Sequence, residues 1–261
     1  MRERDFDSVL QGGVATLTLR RPERHNAFDD VLIAGLSAEL ARLGADPAVR
    51  VVVLAGEGPS FSAGADLNWM RRMASYSEEE NRRDARALAR LMATLDGLPR
   101  PTIARVHGAA LGGGVGLVAC CDIALAAESA VFALSEVRLG LTPATISPYV
   151  VNCIGERQAR RYFLTAERFT AAEALRIGLV HEVIADTALD ERLAALLQTL
   201  RGNGPEAMGA AKQLARDVSR GPVDAALIEE TSRRIAAQRV GAEAQEGLAA
   251  FLAKRRPDWS W

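Results

Sequence analysis

Histidine and cysteine are scarce in this chain, and neither sign of charge dominates. Three histidines in 261 residues offer no visible metal triad. The three cysteines, Cys120, Cys121 and Cys153, are too few and too clustered for a disulfide framework, and two of them fall in an apolar run where free thiols commonly pack. They point to a reducing compartment. Against 33 acidic residues stand 32 basic ones, a formal net charge of −1 with no long run of either sign, so no nucleic-acid footprint is expected. The segment Met1 to Leu10 alternates charge with isolated apolar residues, which predicts neither a signal peptide nor a membrane span and hence a cytoplasmic protein.

Apolar residues are plentiful, 49% of the chain against 25% charged, enough at this length for one large domain with a smaller appendage. From Gly13 to Leu19 the side chains alternate, predicting a strand closed by Arg21-Pro22. Leu32, Leu36, Leu40 and Leu43 recur at helical spacing, and Asp46-Pro47 ends that helix before a strand over Val51 to Ala55. A second amphipathic helix is expected from Glu78 to Leu95, stopped before Pro99 and Pro101, followed by an apolar run from Thr102 to Val106. Ile123 to Ala126 and Ala130 to Phe132 are short candidate strands. Beyond Pro148 the chain reads as helix, with Val180 to Ile184 the exception. The pattern is that of an α/β protein, strands first and helices last. A composition shift near Gly202 to Pro205 divides a body, residues 1–201, from a helical tail, residues 202–261. The tail helices are expected over 205–218 and 223–254 with a break near Gly241. Such a tail is too small for its own core and should pack on the body or on a neighbouring subunit.

Two loops carry candidate chemistry. Gly58 to Leu67 follows a strand and precedes a helix, and its small residues let backbone approach a ligand. Taken alone it reads most simply as a loop with Asp66 as the helix cap. His107 to Gly116 repeats the arrangement, its glycines exposing amides at a helix N-terminus that suits an oxyanion or phosphate. Close helix packing also selects glycine, and the spacing is not that of a dinucleotide fingerprint. Together the loops say more, because one amide from each would form an oxyanion hole; losing one such donor costs roughly 3 to 4 kcal/mol. Asp122 reads as a structural link, Glu156 as a helix-start charge facing Arg160, and His107 as a hydrogen-bonded structural residue. No serine sits in a nucleophile elbow.

The segments Arg21-Pro22-Glu23-Arg24-His25-Asn26-Ala27, Phe61-Ser62-Ala63-Gly64-Ala65-Asp66-Leu67, His107-Gly108-Ala109-Ala110-Leu111-Gly112-Gly113-Gly114 and Cys121-Asp122-Ile123 resemble, in order and approximate spacing, the enoyl-CoA hydratase/isomerase (crotonase) family. Phe251 to Pro257 is similar to its closing segment. The resemblance implies an α/β, crotonase-like spiral of ββα units with a C-terminal helical region that serves oligomerisation. It implies an oxyanion hole from the amides of Ala63 and Gly113, and CoA lying over Arg24, His25, Ala27, Ala63, Ala65, Asp66 and Leu67. It further implies trimers, often paired into hexamers, with Phe251 and Lys254 reaching CoA on an adjacent subunit. Lys254 also reads as a solvated helix-end charge. No metal or redox cofactor is implied, and coenzyme A enters only as the substrate thioester.

A typical hydratase of this family resembles a two-glutamate machine. Here the position matching the first glutamate is Gly116, and the second matches Glu136. Beside Phe132, Leu134, Val137 and Leu139, the Glu136 carboxyl is expected to have a raised pKa and to exchange a proton with substrate. Locally it also reads as a surface residue paired with Arg138. The expected activity is hydration of an α,β-unsaturated acyl-CoA, in a pocket that includes Trp69, Met70, Gly112, Gly116, Arg138 and Leu141. The runs Ala65 to Met70, Leu134 to Leu141 and Ile146 to Pro148 resemble bacterial methylglutaconyl-CoA and isohexenylglutaconyl-CoA hydratases, which points to branched, carboxylated substrates. Arg72 or Arg138 would then hold the second carboxylate. The alternatives are an enoyl-CoA isomerase, since one carboxylate can move a proton between two carbons, and a non-catalytic acyl-CoA binder.

Overall fold

A tight turn at Gly12-Gly13, with φ of 52° and 75°, folds β1 (Phe6–Gln11) antiparallel onto β2 (Val14–Leu19). Two successive positive φ values are what a two-residue hairpin needs and what glycine supplies without strain. The computed structural model describes residues 5–219 and 221–259; Met1–Arg4, Arg220, Ser260 and Trp261, which the expectations for the amino terminus and the tail touch, lie outside it. Helix α1 (Asp30–Ala45) is capped by the Asp29 side chain, which accepts from the Leu32 amide, and its predicted leucine face is buried. After it the chain repeats one unit. Strand β3 (Val51–Gly56) leads to β4 (Ser60–Ser62), then to α2 (Leu67–Met73) and α3 (Glu78–Asp96). Next, β5 (Thr102–Val106) leads to β6 (Ala109–Leu111) and α4 (Gly113–Cys120). In the third round β7 (Ile123–Ala127) leads to β8 (Val131–Ala133), a 3-10 turn (Glu136–Leu139) and α5 (Ser147–Thr165).

The first strand of each unit joins one sheet and the second strand joins another. The larger sheet runs β1-β2-β3-β5-β7, then β10 (Glu182–Ile184), with every pair after β1-β2 parallel. The smaller runs β4-β6-β8, parallel, and is closed by β9 (Phe169–Thr170), which pairs antiparallel to β8. Strand β9 and helix α6 (Ala171–Arg176) occupy a stretch expected to be wholly helical. The run Val51 to Leu54 is apolar throughout because the large sheet is covered on both faces. Val52 and Leu54 enter the main core, while Val51 and Val53 join Ile103, Leu125 and Leu189 under α7 (Leu189–Arg201).

The tail consists of α8 (Pro205–Val218), α9 (Ala225–Arg239) and α10 (Ala242–Leu252), the last two separated at the expected Gly241. Helix α8 is fastened to the body by Lys212, 2.8 Å from Asp122, and by Arg216, 2.5 Å from Asp96. Asp122 also accepts from the amide and hydroxyl of Thr102, so one carboxylate ties the start of β5 to the tail. The N-terminus of α8 has no capping side chain of its own; Glu243 of α10 accepts from the amides of Glu206 and Ala207 at 2.9 and 2.8 Å. Replacing Glu243 with alanine removes both acceptors and is expected to cost about 1 kcal/mol, the ordinary worth of a helix cap. Glu243→Gln, which keeps an oxygen, should lose less. Denaturant midpoints at constant slope measure the difference, and equal midpoints for wild type and Glu243→Ala would remove the capping role.

Candidate active site

Strands β4, β6 and β8 are parallel neighbours, so the segments that follow them emerge side by side at one edge of the small sheet. Those segments carry Ala63 to Asp66, Gly112-Gly113 and Glu136. The backbones of the first two nearly touch: a β-carbon on Gly64 would lie 2.7 Å from the Leu111 carbonyl oxygen and 3.4 Å from the Gly113 nitrogen. Gly64 is held at φ 83°, Gly112 at φ 50°. Phe28 braces both loops. Its amide donates to Gly64 O at 2.8 Å, its carbonyl accepts from the Asp66 amide at 3.0 Å, and its ring lies where a side chain on Gly113 would stand.

The hydrogen bonds single out the free donors. The Ala63 amide, expected to be one half of the oxyanion hole, instead donates to the His25 carbonyl at 2.8 Å and is spent. The Gly64 amide faces the Ser62 hydroxyl at 3.3 Å. The Ala65 amide has no acceptor among the described residues and follows Gly64 at the point of closest approach. On the second loop, Gly112 donates to Ala133 O at 2.8 Å, and the Gly113 amide at the start of α4 has no acceptor among the described residues. The donor pair is therefore Ala65 and Gly113. Sequence patterning could not separate Ala63 from Ala65, because the distinction rests on where a carbonyl 38 residues away points.

Glu136 completes the group. Its Oε1 would lie 3.1 Å from a β-carbon on Gly112, and its Oε2 is buried without a hydrogen-bond partner. Burial pushes the carboxyl above the usual carboxylate range, offset in part by a hydrogen bond from its own backbone amide; no charged neighbour contributes. This is a half-buried acid rather than a surface ion pair: Arg138 is exposed, and among the described residues neither it nor Glu136 enters an ion pair.

The other predicted residues divide. Asp66 is a buried N-cap, accepting from the amides of Asn68 and Trp69. Burial acts to raise its carboxyl, but those amides and the guanidiniums of Arg21 and Arg24 hold it below the usual range. Arg24 is half exposed, 3.2 Å from Asp66, beside a groove of about 990 Å³ that Arg21, Asp29, Asp30 and Arg72 also line. The His25 ring meets the Ser60 hydroxyl at 2.9 Å; Ala27 is buried and Leu67 exposed. Leu141 is exposed and Met70 partly buried. Trp69, expected to line the substrate pocket, is 4% exposed and packed in the main core, its ring N–H donating to Asp84. Gly116 is likewise a packing position: it is buried, and a β-carbon there would strike Ile146. Phe251 and Lys254 are exposed at the end of the tail, with no described contact to the site. Among the described residues no cluster of three or more His, Cys, Asp or Glu could hold a metal ion, and no helix is long and apolar enough to cross a membrane.

Two unpaired amides on adjoining loops beside a half-buried carboxyl suit reactions in which a carbonyl oxygen gains charge while a proton moves at the adjoining carbon. The chain belongs to the enoyl-CoA hydratase/isomerase family, whose description matches residues 10–261. A 2,3-dehydroadipyl-CoA hydratase of Escherichia coli is 35% identical over 251 residues, covering 95% of this chain and 96% of that protein. A crystal structure of an enoyl-CoA hydratase from Shewanella pealeana superposes with a TM-score of 0.95 at 46% identity, over 99% of this chain and 97% of that one. Pseudomonas aeruginosa AtuE gives 0.95 at 40% identity, over 99% and 100%. The protein is thus an enzyme of acyl-CoA thioesters, a lyase or an isomerase.

Gly64→Ala should lower kcat by about 100-fold or more, because the added methyl meets the Leu111 carbonyl and separates the two donors. Steady-state kinetics on folded protein tests this; an unchanged kcat would dissociate the loop contact from catalysis. The pH dependence follows from Glu136. The carboxyl must ionise to take a proton, so the acid limb of kcat/KM should lie above the ordinary glutamate value of about 4.3 and vanish, with activity, in Glu136→Gln. For stability the sign is opposite. Between the unfolded and the raised folded pKa the native state holds more protons, so this group's contribution is full below the unfolded value and is lost as pH rises through the folded one. Urea titrations of wild type and Glu136→Gln across that window measure it.

Proposed function

We propose that the protein is an enoyl-CoA hydratase in which the Ala65 and Gly113 amides hold the thioester oxygen and Glu136 handles the proton. The observation that carries this reading is the pair of unspent amides meeting at Gly64, next to a buried carboxyl. In the forward direction the Glu136 carboxylate takes a proton from water as the water oxygen bonds to the β-carbon. The double-bond electrons move to the thioester oxygen, where the two amides stabilise the enolate. Glu136 then returns the proton to the α-carbon, and the enolate collapses to the 3-hydroxyacyl thioester. Hydrogen bonds that strengthen as charge builds on the oxygen are the ones that raise kcat.

A second reading, enoyl-CoA isomerase, is favoured by one specific feature: no charged neighbour acts on Glu136, and position 116, where a second carboxylate would be expected, is a glycine packed against Ile146. The same carboxylate would take a proton from C2 of a 3-enoyl thioester and deliver it to C4 of the resulting dienolate, whose oxygen the same two amides would hold. Water has no part in that reaction.

For the substrate we favour an acyl chain with a second carboxylate. The Escherichia coli relative named for 2,3-dehydroadipyl-CoA supports this, since that acyl group ends in a carboxylate. So does Arg138, two residues from Glu136 and exposed, whereas Arg72 is held 2.5 Å from Asp30. Assembly into trimers or hexamers belongs to the same proposal; exposed Val240, Phe251 and Leu252 on the tail are in keeping with a covered face in the oligomer. CoA phosphates would lie near Arg24.

Linear, branched and carboxylated 2-enoyl and 3-enoyl thioesters separate the readings. Loss of conjugated-enone absorbance marks hydration, and its appearance from a 3-enoyl compound marks isomerisation. Acyl-CoA binding with no turnover of any member would leave only a thioester-binding protein. Arg138→Ala should raise KM for a carboxylated thioester more than for crotonyl-CoA; equal effects on both would remove the arginine from substrate recognition.

A further inference from the structure

Phe28 and Ala65 form a parallel β-bridge, in which the Phe28 amide donates to Gly64 O at 2.8 Å and the Phe28 carbonyl accepts from the Asp66 amide at 3.0 Å. In a parallel pair the residue between two such bonds turns its own N–H away from the partner segment, so the Ala65 amide points away from Phe28. The next residues along, Asp29 and Asp66, therefore stand as neighbours, and each caps a helix with one carboxylate oxygen. Asp29 Oδ1 accepts from the Leu32 amide of α1 at 3.0 Å, and Asp66 Oδ1 accepts from the Asn68 and Trp69 amides of α2 at 2.8 and 3.1 Å. The second oxygens converge on one nitrogen. Arg21 Nη2 is 3.0 Å from Asp29 Oδ2 and 3.6 Å from Asp66 Oδ2.

Arg21 is 4% exposed, and its Nη1 is buried without a hydrogen-bond partner among the described residues. Its Nε lies 3.7 Å from a third carboxylate, Asp5, while the half-exposed Arg24 pairs with Asp66 at 3.2 Å. A buried ion pair that leaves a donor unused adds little stability, because desolvation offsets most of the attraction. Geometry is what it fixes. Without a cation between them the two cap carboxylates would repel across the bridge, and the segment carrying Ala65 would shift against the one carrying Phe28. We infer that Arg21 is a positioning residue of the active site, its guanidinium holding the caps of α1 and α2 together and thereby fixing the direction of the Ala65 amide. The inference deepens the function proposed above and rests on that reading's assignment of Ala65 to the thioester oxygen. Arg21 acts through Asp29, Asp66 and the bridge beside them. An amide turned off its line loses most when charge on the oxygen is greatest, so kcat should suffer more than KM.

Two readouts test this well below each variant's melting transition: steady-state kinetics, and the absorption of bound para-dimethylaminocinnamoyl-CoA, which moves to longer wavelength when its carbonyl is polarised. Arg21→Met should lower kcat at least about tenfold, less than the loss of a whole oxyanion donor. KM should change by less than about threefold, and the red shift of the bound probe should shrink. Adding Asp29→Asn, which still caps α1 but carries no charge to oppose Asp66, should recover part of both. An Arg21→Met protein that melts lower yet keeps its kcat and the full red shift overturns the inference, leaving Arg21 a residue of the fold alone. A double variant with no recovery overturns the charge account. Arg21→Lys keeps the charge but cannot fork between two carboxylates, so it should fall between wild type and Arg21→Met. That variant decides the matter if Arg21→Met does not fold, since a full red shift in it overturns the positioning role. A wild type that binds the probe with no shift would instead defeat the reading on which the inference rests, a result distinct from a normal shift that survives the loss of Arg21.

Discussion

The constraint on which the site depends is a backbone-to-backbone approach too close for any side chain. At Gly64 a β-carbon would stand 2.7 Å from the Leu111 carbonyl, at Gly108 2.0 Å from the Pro59 carbonyl and at Gly114 2.3 Å from the Ser62 carbonyl. Each contact joins a segment next to β4 with one next to β6, so the two strands and their exits are clamped at three places. Glycine here is a packing requirement as much as a conformational one. The clamp holds together the two loops that carry the Ala65 and Gly113 amides, neither of which has an acceptor among the described residues. Preorganisation of this kind needs no reorganisation at the moment of reaction, which is why fixed backbone dipoles serve a developing oxyanion better than mobile side chains.

Around that clamp the fold sets the unfavourable Glu136 carboxyl against many favourable contacts. A buried Glu136 oxygen without a partner costs folding free energy, and the charged form is penalised further by its dry surroundings. The main core bears that cost easily, since Phe28, Phe61, Leu91, Met92, Phe132 and Ile146 are all nearly sealed from solvent. Polar groups nearby are satisfied instead by local bonds: Asn26 accepts from the Arg21 amide and donates to the carbonyls of Glu57 and Ser60, and Asp66 caps α2. The unsatisfied carboxylate stands where the chemistry is, as strained or underpaired groups tend to.

Much of this was legible in the sequence. The leucines of α1, the proline stop after α3, the short apolar strands β5 and β7 and the break at Gly241 are local signals, and each appears within a residue or two of its expected place. So was the family. What could not be read was tertiary. Strand β1 lacks a continuous apolar run because its residues are half exposed at a sheet edge, and β9 is two residues long, paired only where β8 passes. Glu156 follows Gly155, whose φ of 74° breaks α5, so its pairing with Arg160 at 3.8 Å opens the second half of a kinked helix. Trp69, expected in the pocket, is packed in the main core with its ring N–H donating to Asp84, 15 residues on. Ala63 and Ala65 are alike in every local respect.

The cap that Glu243 places on α8 has a bearing on the order in which the chain acquires its shape as it is made. Helix α8 leaves the ribosome with its first amides open, and their acceptor lies 36 and 37 residues downstream. At ordinary elongation rates that interval is roughly 2 to 7 s, long compared with the time in which a helix forms. The body, including the Asp122 and Asp96 carboxylates that receive Lys212 and Arg216, is therefore already translated when α8 emerges, and the amino-terminal end of that helix is sealed only after α10 has followed.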